Sequence, residues 1–322
     1  MDPLSDVLSL LKPRSYMSGG FNFGGESAIQ FPRHEGIKCY SVVSGQCWLS
    51  VEGVPDAVHL AAGDCFLLPR GRPFSLVTDL ALTPVDFRTF LAAHPKSDPA
   101  WSIAEGCGFI VGGHFTLTGN PGVLLDLLPP IVHIRKESDK EAMRWSLDRM
   151  MLELRDPQPG GVLVAQQLAY VMLVQALRLH LAEGFQNGVG WLFALADKQM
   201  SAAITSMHND PAHRWTLQSL AERAGMSRSS FALKFKDTVG TSPMEYLARW
   251  RMLLAGDRLT CSSDSLSTIA VSLGYESESA FSTAFKRVMG CSPRQYTRGR
   301  KSPPSHGQPK AVPSERLEPV AG

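Results

Sequence analysis

Two stretches near the C-terminus carry groups suited to hydrogen bonding a nucleic acid. GMSRSSFALKFKDTVGTSPMEY (225–246) sets Arg228, Ala232 and Leu233 at outward helical positions, and GYESESAFSTAFKRVMGCSPRQY (274–296) sets Glu278, Ser282 and Thr283 at the matching ones. Guanidinium and hydroxyl groups bond base edges or phosphates, a carboxylate accepts from a base amino group, and alanine and leucine side chains contact a thymine methyl. What recurs is the scaffold: Gly, Ser, Phe-x3-Phe-Lys, Gly-x-Ser-Pro and a closing Tyr. What differs is the outward set, as two readers of different bases require. The competing reading is a helical duplication whose surfaces drifted.

The elements that must hold these groups follow from local signals. Each copy opens with a short helix, TLQSLAERAG (216–225) and SLSTIAVSLG (265–274), with Leu220, Ala221 and Ala224 answering Ile269, Ala270 and Leu273 as inward positions. Gly225 and Gly274 come where the chain must stop and turn left-handed. Ser227 and Ser277 suit the N-cap of a second helix. Phe231 and Phe235, like Phe281 and Phe285, lie four apart on one face and pack back on the first helix. That arrangement is a helix-turn-helix. TSPMEY and CSPRQY are read as capping boxes, Ser242 with Glu245 and Ser292 with Gln295, each with proline at the first helical position. A rod of roughly 17 residues from Pro243 to about Leu259, about 25 Å, joins the two units and suits recognition helices about one DNA turn (34 Å) apart.

Charge agrees with this reading. Residues 1–214 hold 17 Lys/Arg against 21 Asp/Glu, a net of −4, whereas residues 215–301 hold 13 against 7, a net of +6. A basic module beside a mildly acidic one suits nucleic acid as a ligand. Among 322 residues, six scattered cysteines without a C-x2-C pair read as free thiols in a reducing compartment, with Cys39 and Cys47 the pair weighed as a redox couple.

The N-terminus, with Asp2 and Asp6 and no long apolar run, does not read as a signal peptide. Asp2 caps a short helix with Pro3 at its first position and Leu4, Val7, Leu8 and Leu11 on one face. Beyond it the pattern is β: IKCYSVVSGQCWLSV (37–51) reads as a hairpin about Ser44-Gly45, residues 60–77 as further short strands, and 107–119 as another after a polar connection at 93–101. From Ser138 the period becomes helical, with Ser138 and Glu141 read as a capping box and Leu147, Met150, Met151 and Leu154 as an apolar stripe. DPQPGG (156–161) breaks that helix. The next, about 162–184, is apolar nearly all round, yet it contains Gln166, Gln167, Gln175, Arg178 and His180, which points to a buried helix rather than a membrane span. It is either an intradomain core helix or a seam between domains or between two copies of the chain. Helix continues to about residue 299, and the proline-rich tail 301–322 is expected to be disordered.

On these motifs the sequence resembles the AraC/XylS family of bacterial transcription regulators, with residues 191–298 matching its double helix-turn-helix domain. The resemblance implies sequence-specific promoter binding by one monomer through both recognition helices. By position, base-facing residues would be Ser229, Ala232 and Leu233 in the first unit and Glu278, Ser279, Ser282 and Thr283 in the second, with Arg228, Lys236, Lys286 and Arg287 on phosphates. Members often carry Arg where Leu233 stands, and leucine cannot donate to guanine. The N-terminal region resembles the family's cupin-type sensors: GDCFLLPRGRPF (63–74) keeps a Gly-x5-Pro-x-Gly framework, with Phe74 in place of the metal-binding histidine and Lys38 where a glutamate ligand would stand. LLDLLPPIVHIRK (124–136) also looks like these sensors.

The expected fold is multidomain α and β: a cupin-like β-barrel (1–135), a helical connector (136–190) in which dimers could form, an all-α double helix-turn-helix (191–300) and a tail (301–322). The partners implied are double-stranded promoter DNA, RNA polymerase for an activator, a small-molecule effector and a second copy of the chain, in the cytoplasm and away from membranes. His34, Tyr40, Trp48 and Phe74 are candidate effector-pocket residues, against plain barrel core. His34, His59, His114 and His133 could hold a metal only if convergent, and with Phe74 and Lys38 in place of ligands neither metal nor cofactor is expected. No nucleophile elbow, phosphate-binding glycine loop or paired-carboxylate motif is visible, which argues against an enzyme. A metal-dependent cupin enzyme and an architectural DNA binder are the alternatives.

Overall fold

The structure is a computed structural model that describes residues 2–23, 25–93, 108–156, 158–183 and 188–301. The connection expected at 93–101 and the tail lie, but for their first residue, outside them. In chain order come α1 (Pro3–Leu11), β1 (Arg14–Phe23), β2 (Ala28–Phe31), β3 (Ile37–Ser44), β4 (Gln46–Val51), β5 (Val58–Ala61), β6 (Cys65–Leu68), β7 (Phe74–Val77) and β8 (Val85–Asp86). Then follow α2 (Phe87–Ala93), β9 (Gly108–Thr116), α3 (Gly122–Leu125), β10 (Val132–Ile134), α4 (Glu137–Arg155) and α5 (Gly161–Glu183). The remainder is helical: α6 (Trp191–Ala194), α7 (Lys198–Asn209), α8 (Leu217–Arg223), α9 (Arg228–Val239), α10 (Pro243–Cys261), α11 (Leu266–Ser272), α12 (Glu278–Met289) and α13 (Pro293–Lys301).

Two five-stranded sheets, ordered β1-β9-β3-β6-β10 and β5-β4-β7-β2-β8, enclose a core that includes Phe31, Val42, Leu49, Phe66, Phe74 and Ile110. The expected Ser44-Gly45 hairpin does not form. β3 pairs with β9 and β6, and β4 with β5 and β7, so the turn carries the chain from one sheet to the other. Gly45 has φ of +78°, and a Cβ there would lie 2.6 Å from Gly108 Cα, so the corner requires glycine. Strand alternation puts Cys39 in the core shared with the helices and Cys47 in the core between the sheets, which separates the pair weighed as a redox couple.

α5 packs on the first sheet and beside α4. Its other side is open: Val162, Leu163, Val164 and Val171 are exposed, as are Trp145 and Leu152 of α4. The capping box expected at Ser138 and Glu141 is absent. The cap position falls two residues earlier at Lys136, and Ser138 Oγ is instead 3.4 Å from Asp139 Oδ1. Asp64 ties α4 to the sheet, accepting from Lys140 Nζ and His133 Nε2, each at 2.9 Å.

α1 forms as expected, with the Asp2 carboxylate accepting from Ser5 N and Leu4, Val7, Leu8 and Leu11 buried. Its position is not local information. Leu11 O accepts from Thr118 N at 2.7 Å at the end of the sheet, Lys12 Nζ meets Asp257 at 2.5 Å on α10, and Asp6 meets His208 of α7 at 3.2 Å. The first helix therefore bridges the barrel and the C-terminal helices.

Candidate nucleic-acid interface and sensor site

Both helix-turn-helix units form. In the first, Thr216 and Ser227 cap α8 and α9, and Leu220, Ala221, Phe231 and Phe235 are fully buried. In the second, Ser265 and Ser277 cap α11 and α12 over Ile269, Ala270, Phe281 and Phe285. Gly225 and Gly274 take φ of +64° and +79°. Of the two capping boxes expected from TSPMEY and CSPRQY, the one at α13 forms in full, with Ser292 and Gln295 bonding reciprocally. At α10 the Ser242 hydroxyl accepts from Glu245 N, but the Glu245 carboxylate turns to Arg249 at 3.0 Å.

The units are locked to each other. Arg251 of α10 donates from Nε to Pro211 O at 2.6 Å and from Nη2 to His213 O at 2.8 Å, in the loop before α8. Any Cβ at Gly274 would fall 2.3 Å from Ala212 O, so the second turn sits directly on that loop. Arg214 and Glu276 add an exposed ion pair at 2.8 Å. α10 itself is 19 residues long, about 28 Å of rod.

On α9, Arg228, Ser229, Leu233 and Lys236 are exposed and Ala232 is half-buried. On α12, Glu278, Ser279, Thr283 and Lys286 are exposed and Ser282 is half-buried. On each helix most of the set expected to face bases is therefore exposed, with Ala232 and Ser282 half-buried. Leu233 is 65% exposed, an apolar side chain that nothing in the fold covers. Arg287 is exposed but lines a cleft of ≈ 710 Å³ with Glu245 and Arg249 of α10 and Asn120 and Asp126 of the barrel side. Sequence reasoning missed that cleft, because its walls come from residues more than a hundred positions apart.

Sequence reasoning also missed His208. Its side chain is fully buried, stacks on Trp250 at 3.9 Å between ring centroids, and pairs through Nε2 with Tyr246 Oη at 2.8 Å. Burial pulls its pKa down to about 3. An unfolded histidine titrates near 6.5, so this contribution is complete above that pH and is lost as pH falls toward 3. By pH 5 the loss is on the order of 2 kcal/mol. The melting temperature of the wild type should therefore fall more steeply from pH 7 to pH 5 than that of His208→Gln. Parallel curves would remove His208 from the acid response.

Of the four barrel residues expected at an effector pocket, the structure groups three. Phe74 has its ring 6.1 Å from His34 and 6.3 Å from Tyr40. Trp48 stands on the other face of β4, against His59 at 4.9 Å, because alternation sends Cys47, Leu49 and Val51 inward instead. The four histidines do not converge. His34 and His114 are 5.8 Å apart, His133 bonds Asp64, and His59 faces out with Trp48. Among the described residues no group of three His, Cys, Asp or Glu side chains could hold a metal. Lys38 takes the centre of the barrel cluster, with Nζ 4.9 Å from the Phe74 ring and 5.1 Å from that of Phe31.

Comparison with known proteins agrees with both halves. The cupin family pattern matches residues 2–182, and that of the helix-turn-helix domain matches residues 220–299. An AraC-like transcription regulator of Streptomyces lividans is 43% identical over 94% of this chain and 99% of its own length. Its counterpart from Streptomyces antibioticus is 44% identical over the same shares. The transcriptional activator RclR of Escherichia coli is 31% identical over 92% of this chain and 97% of its own. The chain belongs to the AraC family of DNA-binding transcription regulators, with a cupin domain ahead of its helix-turn-helix region.

Proposed function

We propose that one molecule of this protein reads two adjacent major-groove segments of promoter DNA, through α9 and α12, under control of a signal received in the barrel. The observation that carries this reading is the Arg251 clamp. It fixes the second unit on the loop that leads into the first, so the two recognition helices keep one spacing. Ser229, Ala232 and Leu233 then face one set of bases and Glu278, Ser279, Ser282 and Thr283 another, while Arg228, Lys236 and Lys286 meet phosphates. Arg287, a residue of α12, also lines the cleft, so this phosphate contact faces the barrel side. Signal control would act through α1 and the cleft, the contacts that join the barrel to α7 and α10, by shifting the balance between DNA-competent and incompetent arrangements. An activator's contact with RNA polymerase, suggested by the name of RclR, a cytoplasmic location, and pairing of two chains through the exposed apolar side of α4 and α5 complete the reading. The working division is barrel 1–135, connector 136–190, DNA-binding helices 191–300 and tail 301–322.

Glu278 gives the sharpest test of two-unit reading. It is the first residue of α12, exposed, and makes no ion pair or side-chain hydrogen bond among the described residues. A carboxylate there suits the helix dipole, and it can also accept from cytosine N4 while repelling phosphates elsewhere. Glu278→Gln is expected to relax discrimination by about 1–3 kcal/mol at one base pair beneath the second unit, with non-specific affinity rising. The measurement is binding to single-base variants of a duplex selected from random sequence. A flat panel, every variant shifted alike, would assign Glu278 to capping alone.

A further inference from the structure

The barrel interior holds an ammonium with no anion. Lys38 Nζ lies 4.9, 5.1 and 5.8 Å from the rings of Phe74, Phe31 and Tyr40. The lysines that bond across the fold elsewhere have carboxylates: Lys12 has Asp257, Lys140 has Asp64 and Lys234 has Asp197. Lys38 has no hydrogen-bond or ion-pair partner among the described residues. Ring faces attract a cation, but they offset only part of the cost of stripping an ammonium of water. The strain shows in its pKa, which burial pulls down to about 8.

Beside it stands a second uncommitted group. Neither buried ring nitrogen of His34 makes a hydrogen bond of ordinary geometry, the nearby Glu35 backbone being its one close polar contact among the described residues, and burial with the nearby Lys38 charge holds its pKa at about 4, so the ring is neutral and carries one N–H. The remaining polar neighbours do not supply an anion. His114, opposite Lys38 in the β3–β9 ladder, turns its Nε2 to Glu35 O, and Gln30 on β2 donates to Phe31 O and Phe74 O. Around this pair the surfaces are aromatic. Phe31 stacks on Phe74 at 4.5 Å and continues to Phe87 at 4.8 Å and Phe21 at 5.8 Å.

An ammonium and an imidazole N–H, both unspent and set among aromatic rings, are complementary to one ligand class. We propose that the effector of this barrel is a small carboxylic acid bearing an apolar group, its carboxylate held between Lys38 and His34 and its apolar part against Phe21, Phe31 and Phe87. This deepens, and rests on, the reading of the barrel as the signal-receiving half. Lys38 stands where a cupin enzyme would keep a metal ligand, so the charge logic of the site is reversed: a fixed cation awaits an anion.

The test uses the full-length chain and three probes of one shape, phenylacetate, phenylacetamide and phenethylamine, followed by thermal unfolding and calorimetric titration. Phenylacetate is expected to bind saturably and raise the midpoint, with the amide at least about tenfold weaker and the amine without effect. Lys38→Met should lose at least about tenfold in phenylacetate affinity, and Lys38→Gln should do the same if the methionine variant folds poorly. The three-probe comparison on the wild type needs no variant at all. Equal binding of acid and amide, binding of the amine, no binding of the acid, or full affinity in a folded Lys38 variant would each overturn the proposal. DNA binding measured in the same samples separates the two layers. An acid that binds through Lys38 yet leaves DNA affinity unchanged overturns signal control in this barrel, while an amide or amine that changes DNA affinity overturns only the carboxylate class.

Discussion

Phe281→Ala is expected to melt the second helix-turn-helix unit at a cost of about 3–5 kcal/mol, while Thr283→Ala leaves thermal stability in place and weakens specific DNA binding. The two residues are neighbours on α12 with opposite surroundings. Phe281 is fully buried, with ring centroids 5.7 Å from both Phe285 and Tyr275. The core it belongs to is a small one, built on Met252, Ala255, Ile269, Ala270, Leu273, Phe281 and Phe285, and separate from the core that unites the barrel helices with the first unit. Little remains to hold α11 and α12 on α10 once that ring is gone. Thr283 is exposed, and its hydroxyl already donates to Ser279 O at 3.0 Å, so an oxygen lone pair and a methyl face outward. Melting curves and DNA titrations on both variants give the readout. Equal losses of melting temperature would mean that α12 presents a different face to DNA.

The second large effect is on salt. Affinity for a duplex selected from random sequence should fall by about 10³–10⁵ between 50 and 200 mM salt, given roughly 6–10 phosphate contacts. The structure shows which cations are free to make such contacts. Lys234 is held by Asp197 at 2.6 Å and Arg251 by backbone carbonyls, so neither is available. Lys236 and Lys286 are exposed and bond no side chain among the described residues, so Lys236→Ala and Lys286→Ala should each lower the salt slope by about one. Helix N-termini at Arg228 and Glu278 add backbone N–H donors. An affinity indifferent to salt would contradict the electrostatic argument. Equal affinity for the selected duplex and for random duplex would instead favour an architectural binder.

Much of the DNA-binding half was legible because its signals are local. Caps at Ser227, Ser277 and Ser292, left-handed turns at Gly225 and Gly274, and phenylalanines spaced four apart act within a few residues of the helices they define, so their expected places match the structure. The repeat added a check, since each copy constrains the reading of the other. Outside that half a two-residue shift escaped at α4, where Ser138 resembled a cap but the cap position falls at Lys136.

In the barrel half the sequence located strands within 37–51, 60–77 and 107–119, because strand propensity and turn residues are also local, and chemistry-bearing Lys38 and Phe74 were singled out by a missing ligand pattern. Tertiary structure alone decided partners. Whether Ser44-Gly45 closes a hairpin or crosses between sheets depends on which strands compete for β3 and β4, and β6 and β9 win on one side while β5 and β7 win on the other. The seat of α1 on α7 and α10, His208 between Asp6 and Tyr246, the Arg251 clamp and the ring cage over Lys38 share one property. Each joins elements that are distant in the chain, and the free energy of such a contact depends on a burial and a neighbour that no local window contains.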